Sequence, residues 1–355
     1  MLYSILIPTL FFLVSFAFTF YYTLILLKAL RYRNLFTAIN LRSSHNKEVP
    51  SLGGLVFYAV AMLSLSISHQ LDNNGFSLVL MPSLTLIASI GFKDDLIGIK
   101  AWKKFVGQIL SLAVMFFLIE LNFDHLQLEF DFSKDLLISL GFKVLIFVFM
   151  LFFINAFNFI DGIDGLAGGY ALTVFVVLAG IFYSQHQISL MLACITFIGI
   201  LVAFLYFNTS KEKKIFMGDT GSMLLGLTII SLVVISYLLK SPMLNYTECI
   251  SKVMILVLLV SYPTYDGLRV VIIRLLNGRK FYEPDQNHVH HILIRSYGWS
   301  HIKTAFLINS VNLVILVFSL AFECFFGPLW ACAFLISIYL LLSWYLYHLN
   351  KFINS

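Results

Sequence analysis

The chain has 355 residues, of which 60% are hydrophobic and only 12% are charged, and its formal net charge is +5. Soluble domains carry about 25% charged residues, so this composition excludes an ordinary soluble protein and indicates a membrane protein. The four cysteines form no CxxC pair, and no run of Lys and Arg contains interleaved aromatic residues. We therefore expect neither a cysteine-based zinc site nor a nucleic-acid partner.

The apolar residues form runs of about 17 to 25 residues, the length that crosses ~30 Å of hydrocarbon as a helix. This pattern predicts an all-α, polytopic transmembrane helical bundle of about eleven spans. The first span is predicted to be retained rather than removed as a signal peptide, because no Lys or Arg precedes it. In chain order, the predicted spans are Tyr3–Leu27, Leu52–His69, Ser77–Phe92, Phe105–Leu121, Leu136–Phe157, Leu166–Tyr183, Ile188–Phe207, Gly221–Leu239, Val253–Leu276, Thr304–Cys324 and Leu329–Leu349.

Basic residues orient these spans. Most of the 23 Lys and Arg residues lie near the exits of odd-numbered spans, and only Lys134, Lys143, Lys240 and Lys252 lie near even-numbered exits. Because basic loops stay in the cytoplasm, the N-terminus is predicted outside and the C-terminus inside. No separate soluble domain is evident, so residues 1–355 are predicted to form a single membrane domain. The external loop 122–135 alternates apolar and polar residues, a pattern compatible with a small β-hairpin.

Unusual polar residues collect in the odd-numbered loops, and hence on one predicted side of the membrane. Carboxylates at membrane boundaries are costly and usually functional. The clusters, in chain order, are Lys47; Asp94 and Asp95; Asn155, Asn158, Asp161 and Asp164; Asn208 and Asp219; and Asp285, His288, His290 and His291.

Asp94 and Asp95 are adjacent at the exit of span three. Two close like charges raise the pKa of one carboxyl group, which favours a general base or a shared metal ion. The alternative is a charged helix end balanced by Lys93 and Lys100, and the pair alone does not decide between them.

The segment NAFNFIDGIDGLAGG at the exit of span five combines amides, carboxylates and glycines. Asn155, Asn158 and Asp161 are spaced by three residues, so on a helix they lie within about 120° of one face. Gly162 and Gly165 let main-chain N–H groups approach a phosphate closely. The alternative is a polar helix end with a glycine-rich cap.

Asp219 lies between Gly218 and Gly221 in FMGDTGS, directly before span eight. Mg²⁺ takes one or two protein carboxylates and further oxygens from substrate phosphates, so Asp219 is a candidate magnesium ligand. The alternative is a helix N-cap formed by Asp219 or Thr220.

The segment His288–His291 reads HVHH. It offers no thiolate and no helical i,i+4 pair of the metalloprotease type, so it is a poor match to known zinc motifs. Basic residues nearby favour anion binding, with zinc as the alternative; they are Arg274, Arg279 and Lys280.

From Arg42 to Leu293, the chain resembles the polyprenyl-phosphate N-acetylhexosamine-1-phosphate transferase family, the bacterial glycosyltransferase-4 type. The motifs that carry the resemblance are SHNKEVPSLGG, the Asp94–Asp95 pair followed by Lys104 and Gln108, NAFNFIDGIDGLAGG, FMGDTGS, SYPTYDGLRVVIIRL and PDQNHVHH. The resemblance implies a single integral membrane catalytic domain with Mg²⁺ as cofactor, or Mn²⁺ in its place. It implies transfer of a sugar 1-phosphate from a cytoplasmic UDP-N-acetylhexosamine to undecaprenyl phosphate of the bacterial inner membrane, with release of UMP. A homodimer is left open.

The same resemblance implies a role for each site residue. The implied catalytic residues are Asp94, which deprotonates or positions the lipid phosphate, its partner Asp95, and Asp161. The implied metal ligands are Asp219 and Asn158. The implied substrate-binding residues are Lys47, Asn155, Asp164, Asn208, Phe216 (stacked on uracil), His288, His290, His291 and Arg279.

The histidine segment also bears on the donor. The branch of the family that makes peptidoglycan lipid I has three consecutive histidines, which Val289 interrupts here. The resemblance therefore implies a plain N-acetylhexosamine, such as GlcNAc, with the muramoyl-pentapeptide donor as the alternative. Gln286 stands where the family often has Arg, which leaves one diphosphate contact open. A covalent aspartyl intermediate at Asp94 stays open, and a non-enzymatic lipid flippase is the alternative from another class.

Overall fold

The structure is a computed structural model that describes residues 2–32, 49–71, 75–121, 136–239, 246–280 and 286–354. Within these residues the chain is helical, and eleven helices are long and apolar enough to cross a membrane. The predicted all-α polytopic bundle is therefore confirmed, whereas the predicted hairpin at 122–135 and Lys47 lie outside the described residues. The helices are α1 (Leu2–Tyr32), α2 (Gly53–Leu71), α3 (Phe76–Ile97), α4 (Ala101–Leu121), α5 (Leu136–Ile160), α6 (Leu166–Ser184), α7 (Ile188–Asn208), α8 (Gly218–Leu238), α9 (Tyr246–Leu276), α10 (Val289–Tyr297), α11 (His301–Phe326) and α12 (Pro328–Asn354).

Several helix ends extend beyond the predicted spans and change where polar residues lie; α3 and α5 are two examples. Helix α3 continues to Ile97, so Asp94 and Asp95 belong to its last turn rather than to the following loop. Helix α5 continues to Ile160 and includes Asn158. Apolar runs mark only the part of a helix that lies in hydrocarbon, whereas backbone hydrogen bonding continues into the polar boundary.

The helices pack into two compact units, residues 1–154 with 170–240 and residues 155–169 with 241–355. The single catalytic domain remains a prediction. Helix α8 is the core of the first unit, and α2 and α3 pack against it. Its buried hydroxyl groups donate to its own backbone, as Thr228 does to the Leu224 carbonyl at 2.7 Å. A helix that is apolar all round and satisfies its own polar groups is suited to such a buried position.

Small residues let α2 and α3 approach the start of α8 closely. A Cβ atom on Gly54 of α2 would collide with the backbone of Gly221, and one on Gly91 of α3 would lie 2.5 Å from the Thr220 Cα. Close backbone contact through small residues is a common way for membrane helices to associate. The glycines therefore fix the N-terminus of α8 against α2 and α3.

The second unit contains α9 to α12 and the segment 155–169. Its apolar core includes Met254 and Leu258 of α9, Ile315 of α11 and Leu335 of α12. Tyr265 of α9 also donates to or accepts from Ser343 of α12 at 3.0 Å. The outer faces of α11 and α12 carry large exposed apolar residues, as expected of lipid-facing helices; they include Phe306, Phe318, Leu329, Leu340 and Trp344.

Candidate active site

In the first unit, the segment before α2 pairs with the segment before α8. The Phe216 N–H donates to the Pro50 carbonyl at 2.9 Å, and the Gly53 N–H donates back to the Phe216 carbonyl at 3.0 Å. Gly218 has φ +69°, and a side chain there would also meet the Asp95 carboxylate. The PSLGG and FMGDTGS motifs thus form one structural feature, which aims the first turn of α8 at the end of α3.

The Asp95 carboxylate holds that first turn of α8. Its Oδ1 accepts from the Asp219 backbone N–H at 2.7 Å, and its Oδ2 accepts from the Thr220 N–H at 3.0 Å and hydroxyl at 2.5 Å. These N–H groups have no partner inside the helix, so a carboxylate supplied by α3 satisfies them as an N-cap residue would. The alternative that Asp219 or Thr220 caps α8 through its own side chain is not observed, since α8 has no side-chain cap of that kind.

Lys104, near the start of α4, contacts the carboxylates of both Asp94 and Asp219. Its Nζ lies 3.2 Å from Asp94 Oδ2 and 2.5 Å from Asp219 Oδ1. The Ile99 N–H donates to Asp94 Oδ1 at 2.7 Å and fixes that side chain at the end of α3. Asp94 and Asp219, predicted to meet from the third and seventh loops, therefore share one ammonium group at one end of the first unit.

Asn208 and Phe216 frame the loop between α7 and α8. The buried Asn208 side chain donates from Nδ2 to the Ile215 carbonyl at 3.1 Å, which braces the loop. Lys214 Nζ lies 5.5 Å from the centre of the Phe216 ring, a cation–π distance. Phe216 is half-buried, so one part of its ring stays accessible. The structure thus gives Asn208 a structural contact, while its predicted nucleotide contact stays a prediction.

In the second unit, the glycine-rich turn follows α5. Asn155 and Asn158 lie in the last turns of α5, and the Asp161 N–H donates to the Asn158 carbonyl at 3.2 Å as the helix ends. All three side chains are half-buried. The predicted single helix face therefore holds for the two asparagines, whereas Asp161 lies in the turn.

Helix α11 supports this turn from behind. Asp164 is buried, and its Oδ2 lies 3.3 Å from Nδ1 of His301, the first residue of α11. The Asn309 side chain donates to the Gly165 carbonyl at 3.3 Å. Asp164 was predicted to bind substrate; the structure places it in a contact that positions the turn, and its substrate role stays a prediction.

The three histidines lie at the start of α10. The His288 and His290 rings are stacked with centroids 5.7 Å apart, and the His290 and His291 rings are 4.2 Å apart. His290 is fully buried and occupies the space that a side chain on Gly162 would need. Burial, with the nearby His291 charge second, lowers the pKa of His290 well below its ordinary value, so its ring is neutral at pH 7. His291 is half-exposed, which makes it the better placed of the two for direct contact with a ligand.

Two buried charges of α9 that sequence reasoning missed, Asp266 and Arg269, hold the start of the histidine segment. The fully buried Asp266 of α9 lies 2.9 Å from His288 Nδ1 and 3.1 Å from the Arg269 guanidinium. Arg274 is also buried, with its guanidinium 5.7 Å from the centre of the Phe159 ring. Arg279, predicted to bind the diphosphate, is exposed in the described residues after α9. A carboxylate inside a predicted span was the sequence signal for Asp266.

The donor atoms of the first unit fit a magnesium ion better than zinc. Among the described residues, no three His, Cys, Asp or Glu side chains group together as a metal cage. Mg²⁺ needs only one or two protein carboxylates when phosphates supply further oxygens, and zinc at the histidine segment stays the alternative. Asp94 and Asp219 lie on two sides of the Lys104 ammonium group, and Asp219 is the predicted magnesium ligand of the two. Asn158, the other predicted ligand, belongs to the second unit, and its metal contact stays a prediction.

Comparison with known proteins agrees with this architecture. Residues 77–237 match glycosyl transferase family 4. A phospho-N-acetylmuramoyl-pentapeptide-transferase of Lactiplantibacillus plantarum is 32% identical over 293 residues, which cover 78% of this chain and 85% of the relative. A decaprenyl-phosphate N-acetylglucosaminephosphotransferase of Mycobacterium leprae is 29% identical, over 81% of this chain and 76% of the relative. An undecaprenyl-phosphate α-N-acetylglucosaminyl 1-phosphate transferase of Yersinia pestis is 29% identical, over 72% of this chain and 68% of the relative.

These similarities span most of the chain and include the helices that carry the Asp94 and Asp219 cluster. The chain belongs to glycosyl transferase family 4 and is a multi-pass membrane phosphosugar transferase. The resemblance inferred from the motifs is therefore confirmed at the level of the family.

Proposed function

We propose that the protein transfers N-acetylglucosamine 1-phosphate from UDP-GlcNAc to undecaprenyl phosphate, giving undecaprenyl-diphospho-GlcNAc and UMP. The observation that carries this proposal is the contact of Lys104 Nζ with both Asp94 and Asp219. Phosphoryl transfer requires positioning and neutralisation of charge more than covalent chemistry. A pair of carboxylates beside the ammonium group of a lysine, at the end of a membrane unit, supplies groups for both tasks.

Asp94 is proposed to prepare the acceptor. Its Oδ1 is held by the Ile99 N–H, and the ammonium of Lys104 favours its ionised form. An ionised carboxylate accepts the proton of the lipid phosphate, and the freed phosphate oxygen attacks the sugar-bearing phosphorus. The new P–O bond to the lipid forms as the bond between that phosphorus and the UMP oxygen breaks.

Lys104 and Asp219 are proposed to manage the negative charge of the diphosphate. Asp219 presents a carboxylate at the N-terminus of α8, where it would hold Mg²⁺, or Mn²⁺ in its place. When bound, such an ion neutralises charge on the diphosphate and on the departing UMP. Lys104 can turn its ammonium group from the carboxylates toward phosphate oxygens. Asp95, whose carboxylate is occupied by α8, is assigned a positioning role.

The second unit is proposed to bind the donor. The half-buried Asn155, Asn158 and Asp161 provide polar groups, and His291 with Arg279 provides donors for the diphosphate. We assign the polar residues of the first and of the second unit to one reaction because, in the sequence, all of them follow odd-numbered spans. We propose accordingly that the odd loops face the cytoplasm of a bacterial cell and that the spans lie in its plasma membrane.

A second candidate function is transfer of phospho-MurNAc-pentapeptide, favoured by the 32% identity to the Lactiplantibacillus plantarum transferase. Val289, which separates His288 from His290, favours the GlcNAc donor instead. The two donors differ by a lactyl-pentapeptide, so a single enzyme site is expected to discriminate strongly between them.

A donor panel tests the proposal. Purified protein in detergent or nanodiscs is mixed with undecaprenyl phosphate, MgCl₂ and either UDP-GlcNAc or UDP-MurNAc-pentapeptide, and UMP release is measured. We expect release with UDP-GlcNAc alone, and its loss on addition of EDTA with recovery on excess Mg²⁺. Release only with the pentapeptide donor would replace the first candidate by the second, and release with neither UDP-sugar would reject both.

A further inference from the structure

The junction between α9 and α10 is built around one carboxylate. Asp266 is fully buried in α9, nearly three turns before the end of that helix at Leu276. Its Oδ1 accepts from the Arg269 guanidinium at 3.1 Å and from the Val289 N–H at 3.1 Å, and its Oδ2 lies 2.9 Å from His288 Nδ1. Arg269 also donates to the Asn287 carbonyl. Asp266 and Arg269 together thus tie α9 to three consecutive residues, 287 to 289, where α10 begins.

The first consequence concerns the helix. His288 occupies the N-cap position of α10, but its own side chain makes no capping hydrogen bond. Asp266 instead accepts the N–H of the first helical residue, Val289. A carboxylate at a helix N-terminus satisfies an otherwise unpaired donor and interacts favourably with the helix dipole. Because α10 has only nine residues, this contact sets the direction in which its first turn points.

The second consequence concerns the imidazole of His288. An ionised carboxylate only accepts hydrogen bonds, so the His288 nitrogen that faces Asp266, Nδ1, carries the proton. The other nitrogen, Nε2, is then the one left for another group. A carboxylate that orients a histidine in this way fixes both its ring plane and its tautomer.

The third consequence reaches the next two histidines. The His290 ring stacks on His288 with an interplanar angle of 11°, and the His291 ring lies 4.2 Å from that of His290. Neither ring nitrogen of the buried His290 has a hydrogen-bond partner among the described residues. Packing against His288 and beneath Gly162 therefore holds His290 in place, and that packing begins at Asp266.

We propose that Asp266 is a positioning residue, which fixes the orientation and tautomer of His288 and through it the placement of His290 and His291. This inference rests on the proposed function for its activity readout, because it assigns the histidine segment to donor binding. Arg269 balances the buried charge of Asp266, so that removal of either partner leaves an unpaired charge inside the unit.

The substitution Asp266→Asn keeps the shape of the side chain and removes its charge. The amide oxygen of Asn can still accept from Val289, but its NH₂ group faces His288 Nδ1 and moves the imidazole proton to Nε2. Because the buried Arg269 loses its charged partner, we expect the variant to fold in detergent with a lower melting temperature than the wild type. Assayed well below that temperature, it should release UMP about 10- to 100-fold more slowly than the wild type. The His288→Gln variant is made alone and together with Asp266→Asn.

The double variant distinguishes the proposed role from a general structural one. If Asp266 acts through His288, Asp266→Asn costs no further activity in the His288→Gln background, whereas independent effects would multiply. The control is Glu323→Gln, which removes another buried carboxylate of the second unit, about 33 Å along α11 from its first residue. We expect the control variant to keep its rate and its melting temperature.

A readout independent of turnover is the ¹⁵N spectrum of histidine-labelled protein in lipid, with the His288 signal assigned by its loss in His288→Gln. We expect the Nδ1–H tautomer in the wild type and the Nε2–H tautomer in Asp266→Asn. An unchanged tautomer, or a wild-type rate in Asp266→Asn, would overturn the inference even where UMP release by the wild type supports the proposed function. If the wild type released no UMP with either UDP-sugar, the proposed function would fail while the tautomer result would still decide the role of Asp266.

Discussion

At the scale of single residues, two adjacent carboxylates of α3 have different partners. Asp94 faces Lys104, whereas Asp95 accepts three hydrogen bonds from the first turn of α8. The motif groups the two residues as one pair, and only the family resemblance implies that their roles differ. The division depends on the helix end, because neighbouring side chains on a helix point about 100° apart and so meet different elements.

Asp219→Asn is predicted to abolish Mg²⁺-dependent UMP release, with a loss of at least about 100-fold. The fold should survive, because the contact of Asp219 with Asp95 is made by its backbone N–H and not by its carboxylate. The measurement is UMP release together with the melting temperature in detergent. Glu212→Gln is the matched control, since it removes an exposed carboxylate from the same loop. Turnover near the wild-type rate in Asp219→Asn would remove the metal assignment.

Asp94→Asn and Asp95→Ala are predicted to separate catalysis from stability. Asp94→Asn should retain UDP-sugar binding and lose turnover, with little change in melting temperature. Asp95→Ala removes the acceptor for the first turn of α8, so it should destabilise the protein by about 1–2 kcal/mol. Thermal unfolding and isothermal UDP-GlcNAc binding, measured on both variants, check this. Equal losses of stability in both variants would contradict the division of roles.

At the scale of the elements, apolar run length predicted the number of spans and their approximate positions. It also separated α11 from α12, where the helices break at Gly327. It did not predict α10, because nine residues with mixed polarity leave no membrane-length signal. Nor did it show that PSLGG pairs with the loop before α8, since a contact between residues far apart in sequence has no local periodicity.

Gly54→Ala is predicted to destabilise the first unit by about 1–3 kcal/mol, because the added methyl group would collide with the backbone of Gly221. UMP release should fall as well, since α8 would shift relative to α3. The matched control is Gly141→Ala in α5, where an added Cβ meets nothing within 4 Å. There the better helix propensity of Ala should leave the melting temperature unchanged or raise it slightly. A Gly54→Ala protein as stable as the control would show that α2 and α8 have room to separate.

At the scale of the whole molecule, the number of predicted membrane crossings between two site residues agrees with their contact in the structure. Asp94 follows the third predicted span and Asp219 the seventh, and both contact Lys104 at one end of the first unit. Four predicted spans separate the two residues in the sequence, and an even number of crossings returns the chain to the same side of the membrane. The distribution of basic residues predicts the orientation of the spans in the membrane. The identity of the donor sugar is harder to predict from the sequence, because it depends on few side chains and the relatives differ in their donors.

Cysteine labelling tests the predicted orientation in a variant whose four native cysteines are replaced. Lys211→Cys lies in the exposed loop between α7 and α8, and Ser184→Cys lies at the exposed end of α6. A membrane-impermeant maleimide should label Ser184→Cys on intact spheroplasts, and Lys211→Cys only after permeabilisation. The opposite pattern would invert the predicted topology.

The bonds from Asp95 to α8 have a mechanical consequence. With Gly91 set against Thr220 and Asp95 bonded to the same turn, α3 and α8 cannot slide past each other without breaking several contacts together. The contact between α3 and α8 therefore holds the carboxylates of Asp94 and Asp219 in fixed relative positions. The flexible group between them is the four-carbon side chain of Lys104. A change between the substrate-free and the substrate-bound state of this site then requires only a rotamer change of the Lys104 side chain, which takes nanoseconds. A displacement of a helix would be slower.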